Sequence, residues 1–173
     1  DLDWFRKQLE KKYELKEGAR LGAGSKDQKE GRVLNRVVRW TPEGLTYEGD
    51  PRQHEKLIAE LGLEGAKSVS TPVVRASPSA LAEDQALEAR KMTHFRGLAA
   101  RSNYLAADRP DTAYAAKEIC RWMSSPTELG LQGLKRMARF LVGKPRLVWH
   151  YRWQDVSHFD VYSDTDWAGC PKT

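Results

Sequence analysis

The chain reads as a series of short amphipathic segments divided by glycine, proline and serine. In residues 3–15, Phe5, Leu9 and Tyr13 recur every four positions among Lys and Glu, which is the spacing of one helical face. Asp3 is placed to cap that helix, and Gly18 ends the pattern. Gly22-Ala23-Gly24-Ser25 marks a loop. Residues 31–49 switch to the β-branched and aromatic residues of a hairpin, with Val33, Leu34, Val37, Val38 and Trp40 on the way out. Thr41-Pro42-Glu43-Gly44 is its turn, and Leu45-Thr46-Tyr47 returns. Residues 51–62 predict a short helix with Pro51 at its first position, Leu57, Ile58 and Leu61 on the apolar face, and Gly62 as the stop. Over 64–90 the periodicity is lost. Ser68, Ser70, Thr71, Pro72, Ser77, Pro78 and Ser79 predict a long linker there.

Three helices follow. The first covers about 92–106, with Phe95, Leu98, Ala99, Ser102 and Leu105 on one side. Arg109-Pro110-Asp111 breaks it, and Asp111 is placed to cap the second helix over 112–123, which buries Ala115, Ala116, Ile119, Cys120 and Met123. Ser125-Pro126-Thr127-Glu128 has the pattern of a capping box with proline at the first helical position. The third helix runs to about Val142, with Leu131, Leu134, Ala138 and Leu141 inward and Lys135, Arg136 and Arg139 largely away from that seam. Gly143 and Pro145 stop it. Beyond them the pattern is that of strands. Residues 147–153 are rich in aromatics, 154–157 form a polar turn, and 158–164 alternate polar and apolar as a half-buried strand does. No internal repeat is visible. The fold class is α+β.

Composition narrows the classes. No stretch approaches the roughly 18 apolar residues of a membrane span. The N-terminus has neither a signal peptide nor an initiator methionine, and the chain reads as cut from something longer. Two cysteines far apart, Cys120 and Cys170, fit a reducing intracellular setting better than a secreted disulfide scaffold. Neither lies in a CxxC pair, so zinc has no support.

Charge is uneven. Residues 1–90 hold 16 basic and 16 acidic side chains. Residues 91–152 hold 12 basic side chains against Asp108, Asp111, Glu118 and Glu128. After them come Asp155, Asp160, Asp164 and Asp166 against Lys172 alone. A basic block followed by carboxylates suits a polyanion path leading towards a metal site. A solvated basic helix surface is the plain alternative.

Five segments in order resemble the copia-type retrotransposon polymerase. They are Asp1-Leu2-Asp3-Trp4-Phe5 through Lys16, His54-Glu55-Lys56-Leu57-Ile58 through Lys67-Ser68-Val69-Ser70-Thr71-Pro72, and Phe95-Arg96-Gly97-Leu98 through Tyr104-Leu105-Ala106-Ala107-Asp108-Arg109-Pro110-Asp111. Next come Met123-Ser124-Ser125-Pro126-Thr127 with Leu134-Lys135-Arg136-Met137-Ala138-Arg139-Phe140-Leu141-Val142-Gly143, and lastly Tyr162-Ser163-Asp164-Thr165-Asp166-Trp167-Ala168-Gly169-Cys170-Pro171. Residues 18–36 depart from the family, being Gly-rich and charged where its members have an apolar strand. So do Ala99-Ala100-Arg101-Ser102-Asn103, where members are more apolar.

The resemblance implies a fragment of a Pol polyprotein. Residues 1–63 would be the C-terminal edge of the reverse transcriptase palm, 64–90 a linker, 91–144 a three-helix thumb or connection region, and 145–173 the opening β-hairpin of a truncated ribonuclease H. Polymerase chemistry needs paired aspartates holding two metal ions, and no Asp-Asp dipeptide occurs. By resemblance Asp164 is the first ribonuclease H carboxylate and Mg²⁺ ligand, with Asp166 the alternative. The plain reading of both is as turn caps before Gly169. One carboxylate holds Mg²⁺ poorly, so the fragment is expected to show no nuclease activity by itself.

Lys135, Arg136 and Arg139 lie within about one helical turn and would contact the phosphates of an RNA–DNA hybrid or other duplex. The remainder of the polyprotein is the other implied partner. Trp149, Tyr151 and Trp153 have strand spacing and are read as sheet-face residues before base-stacking ones. His150 and His158 read as paired or exposed polar groups, and His54 and His94 as surface residues. A noncatalytic nucleic-acid-binding module and an inert relic are the competing readings.

Overall fold

The computed structural model describes residues 2–16, 18, 20–155 and 157–163. The helices are α1 (Leu2–Glu10), α2 (Arg52–Glu60), α3 (Pro78–Ala82), α4 (Ala89–Ala106), α5 (Pro110–Cys120) and α6 (Glu128–Gly143). The strands are β1 (Glu30–Val33), β2 (Arg36–Thr41), β3 (Gly44–Glu48) and β4 (Val148–Arg152). All four pair antiparallel in the order β1-β2-β3-β4. The α+β class therefore holds.

The expected hairpin of 31–49 is two hairpins. Val33 faces Arg36 across a two-residue loop, Leu34-Asn35, whose φ angles are 50° and 66°. Two left-handed residues are what a tight turn needs to follow the strand twist. Asparagine tolerates that conformation; leucine resists it, which is why the sequence pattern placed Leu34 inside a strand. The second hairpin closes where expected, with Thr41 opposite Gly44 and the Thr41 hydroxyl donating to the Gly44 carbonyl at 3.1 Å.

The last strand corrects the expectation of a ribonuclease H hairpin. β4 pairs with β3, Glu48 opposite Val148 and Gly44 opposite Arg152, and not with the segment after it. Residues 157–163 carry no strand, and Phe159, Val161 and Tyr162 stand in solvent. The physical reason lies at both ends of the pairing. Arg146 forms a bidentate pair with Glu48, one arm at 2.8 Å. At the other end the Trp153 amide donates to the Glu43 carbonyl and its indole N–H to the Thr41 carbonyl, at 2.9 and 3.2 Å. Gly44 makes this possible, because a Cβ there would lie 2.0 Å from the Tyr151 carbonyl oxygen.

The core lies among the helices. Phe95, Leu98, Ala99 and Leu105 of α4 meet Ala115, Ala116 and Ile119 of α5, Leu134, Met137, Ala138 and Leu141 of α6, and Leu57 of α2. These are most of the periodic positions read from the sequence, with Met137 added; Met123 and Leu131 are only partly buried against the core, and Cys120 is half-buried outside it. Small residues at the α4–α5 crossing let the two helices approach closely. Ser102 is buried there, and its hydroxyl donates to the Ala99 carbonyl at 2.8 Å. The Ser102 hydroxyl in this departure from the apolar family pattern is thus satisfied, while the neighbouring Arg101 Nε is buried without a hydrogen-bond partner.

Helix ends differ in detail from the expectation. α1 stops at Glu10 rather than near Leu15. Arg109 occupies the N-cap position of α5 and Pro110 its first turn, so Asp111 lies inside the helix rather than capping it. Thr127, not Ser125, caps α6, its hydroxyl accepting from the Gly130 amide at 3.3 Å.

The 64–90 segment is a strap over the helices. Val73 packs on the core, as does Leu63 just before the segment, and Leu87 is buried in it. Leu87 and Gln85 exchange backbone hydrogen bonds with Pro126 and Glu128. Asp84 accepts from the Leu129 amide at 3.1 Å, a second cap for α6. Single apolar anchors at irregular spacing carry no periodic signal, so the pattern read as a linker.

Candidate nucleic-acid interface on helix α6

α6 has two faces. Leu134, Met137, Ala138 and Leu141 are wholly buried. On the opposite side Lys135 is exposed, while Arg136 and Arg139 are half-buried against the strap. The Arg139 Nε donates to the Lys67 carbonyl at 2.8 Å, and an Arg136 Nη donates to the Thr71 hydroxyl at 2.9 Å. The buried Arg136 Nε has no hydrogen-bond partner in the structure. Gly143 lets the strap lie flat, since a Cβ there would come within 2.7 Å of the Ser68 Cβ.

The three expected side chains thus share one face, but the arginines are tethered rather than splayed into solvent. The tethers are neutral. A carbonyl and a hydroxyl order a guanidinium without cancelling its charge, and each guanidinium has five donors. Arg96 of α4 is held in the same way, by the Met123 and Ser124 carbonyls. Elsewhere arginines face carboxylates: Arg36 with Asp108, Arg39 with Glu30 and Glu48, Arg101 with Glu60, Arg109 with Asp111, and Arg146 with Glu48. The carboxylate partners sit mainly in the sheet and at the helix joints. Within α6 the single acidic residue is Glu128, in the first turn. Among the described residues no carboxylate pairs with Lys135, Arg136 or Arg139, so the middle and end of α6 carry net positive charge, the sign that favours polyanions.

A second constellation was missed in the sequence. Asp108, 5% exposed, accepts from the Arg36 Nε at 2.9 and 3.0 Å and from the Tyr47 hydroxyl. The Trp149 indole donates to its backbone carbonyl at 3.3 Å. Next to it, buried Arg109 forks onto Asp111 at 2.9 and 2.8 Å and reaches the Lys144 carbonyl at 2.8 Å. Asp108-Arg109-Pro110-Asp111 is therefore a joint that fastens β2, β3 and β4 to the helices. The hydrogen bond to Asp108 raises the Arg36 pKa above its ordinary value. Burial, then the bond to Asp108, pushes the Tyr47 phenol up to about 12. Asp108 and Arg36 are 72 positions apart, so no local signal joins them.

His54 also departs from its expected surface position. It is buried in a small cleft bounded by Asp50, Arg109 and Leu147, and burial lowers its pKa. Trp149 and Tyr151 stack on one face of β4 with ring centres 6.3 Å apart, as expected for strand neighbours. His150 sits opposite Thr46 in the sheet, and His158 lies 3.5 Å from Asp160. Among the described residues no three His, Cys, Asp or Glu side chains gather as a metal site. Asp164 and Asp166, the expected nuclease ligands, lie outside the described residues, so the fit to Mg²⁺ rests on the resemblance. Among the described residues, no helix is long and apolar enough to cross a membrane.

No family model matches the chain, and no solved structure matches it. Curated proteins do. Over 113 residues, 65% of the chain, it is 35% identical to the retrovirus-related Pol polyprotein from transposon RE1 of Arabidopsis thaliana. Over 128 residues, 74% of the chain, it is 32% identical to the Pol polyprotein from transposon RE2 of the same plant. It is also 26% identical over 136 residues to an uncharacterized mitochondrial protein of Arabidopsis thaliana, 79% of the chain and 55% of that relative. The matched part spans 8% and 9% of the two polyproteins. The chain is homologous to a short stretch of these retrotransposon Pol polyproteins, which agrees with the copia-type resemblance of its motifs.

Proposed function

We propose that this region serves a reverse transcriptase and ribonuclease H polyprotein as a binding surface for the backbone of a primer–template duplex. The observation that carries this reading is the charge state of α6. Arg136 and Arg139 are held by neutral groups beside exposed Lys135, so their charge remains for phosphate. Pre-ordering lowers the entropy lost when a long side chain grips a ligand. Contacts of this kind read no sequence and weaken with salt.

In the same reading the rest of the polyprotein supplies the polymerase aspartates, and Asp164, with Asp166 as alternative, donates one ligand to a Mg²⁺ centre of the nuclease. Bound Mg²⁺ would activate a water and stabilise the leaving oxygen there. This chain's own contribution is the grip on the duplex.

The test is binding of a labelled RNA–DNA hybrid to the wild type and to the triple variant Lys135→Ala, Arg136→Ala, Arg139→Ala. Each lost phosphate contact is expected to weaken binding, so the triple variant should lose most of its affinity at low salt. Equal binding by both proteins would sink the proposal.

A further inference from the structure

Thr71 lies exposed on the strap, with Pro72 after it and a guanidinium already on its hydroxyl. The surrounding segment, residues 65–82, contains no Asp or Glu. Residues 67–76 are irregular, and among the described residues no backbone–backbone hydrogen bond ties them to another segment. Arg136 offers Thr71 one Nη at 2.9 Å and keeps a buried, partnerless Nε on the same planar fork. The hydroxyl takes only the Nη donor of that fork in the structure. A phosphate on that oxygen brings three strong acceptors and can take the fork bidentately.

From this geometry we propose that Thr71 is a phosphorylation site for a proline-directed serine/threonine kinase, and that its phosphate docks on Arg136. The transfer is balanced. The Thr71 Oγ1 bonds to the γ-phosphorus of a nucleoside triphosphate, the bond to the β-phosphate oxygen breaks, the nucleoside diphosphate leaves, and the hydroxyl proton passes to the kinase base. The other Ser/Thr-Pro pairs are occupied differently. The Thr41 hydroxyl closes a β-turn, the Ser77 hydroxyl caps α3, and Pro126 is buried behind Ser125. Among the described residues no arginine donates a hydrogen bond to any of these three hydroxyls. A docked phosphate adds roughly two negative charges to the α6 face. Resting on the proposed duplex-binding role, the consequence is that the modification lowers affinity for nucleic acid.

The experiment treats the full chain with a proline-directed kinase and ATP, maps the phosphate by mass spectrometry, and titrates it by phosphorus NMR. Thr71 is expected to be the modified residue. Its second phosphate pKa should lie about half a unit below that of the isolated 66–76 phosphopeptide. Arg136→Ala should return it to the peptide value, while Arg136→Lys should retain part of the shift. Modification of the peptide but not of the folded chain overturns the site, and so does a pKa that is the same in the wild type and Arg136→Ala. A hybrid-binding assay then compares modified and unmodified protein, with a loss of about tenfold expected. Unchanged affinity overturns the regulatory role alone. No binding by the unmodified protein overturns the duplex-binding function and its regulation together, and the NMR titration still decides the site.

Discussion

Replacing Asp108 by asparagine keeps the side chain's shape and removes its charge. The wild-type carboxylate takes a guanidinium and a phenol, and it is almost fully buried. Hydrogen bonds to a charged group contribute about 1.5–3 kcal/mol each. Asparagine can still accept from one partner, but its amide N–H₂ then confronts the other donor. The Arg36 side chain is 19% exposed, so water recovers part of its loss. The expected cost is about 3 kcal/mol, towards the low end for a broken buried pair. For a chain of this size that is a fall in melting temperature of roughly 6–12 °C.

Thermal and urea unfolding followed by circular dichroism read this directly. Tyr47→Phe removes only the phenol's bond and should cost about 1 kcal/mol. The cycle with Arg36→Ala isolates the ion pair, whose coupling should be about 1.5–3 kcal/mol. A change within about 0.5 kcal/mol for Asp108→Asn would refute the joint, because surface substitutions fall in that range.

Other consequences are equally direct. Gly44→Ala should cost more than about 2 kcal/mol and expose the Trp149 and Trp153 amides to hydrogen exchange, because the new methyl meets the Tyr151 carbonyl. Leu34→Gly should stabilise the protein by up to about 1 kcal/mol in urea, since a largely exposed side chain is traded for an unstrained left-handed residue. In an ultraviolet titration one of the six tyrosines should ionise near pH 12, and Tyr47→Phe should remove that phase. Since the folded pKa is raised above the usual 10, this stabilisation is complete below pH 10 and is lost as pH rises through 12. Arginine partners hold Glu48 and Asp50 below the usual carboxylate range, so their contribution is present above about pH 4 and is lost as pH falls further. Glu48→Gln should flatten that acid limb.

What could be read in the sequence follows from the range of the forces involved. The seams of α4, α5 and α6 were legible because helix burial repeats every three to four residues, and Phe95, Leu98, Ile119, Leu134 and Leu141 obey that period. Lys135, Arg136 and Arg139 were legible as a shared face for the same reason. The strap's grip on Arg136 and Arg139 was not, because Thr71 and Lys67 are 65 and 72 positions away. The pairing of β4 was hidden likewise. Its aromatic alternation shows a strand, while the choice of β3 over residues 158–163 depends on Gly44, Arg146 and Trp153 acting together. The Asp108 joint looked like a helix break because the break is local and its sheet partners are not.

The proposed binding of nucleic acid by α6 rests on charges that no carboxylate among the described residues offsets. The most direct measurement is the salt dependence of RNA–DNA hybrid affinity for the wild type and two triple variants with equal net charge. One variant removes Lys135, Arg136 and Arg139. The other removes Arg6, Arg20 and Lys91, exposed cations each paired with a carboxylate. Each phosphate contact contributes about 0.9 to the slope of log affinity against log salt. The account predicts that the α6 variant loses up to about three contacts' worth of slope, while the control keeps the wild-type slope. An equal loss in both variants would mean that binding follows net charge alone, and would contradict the claim.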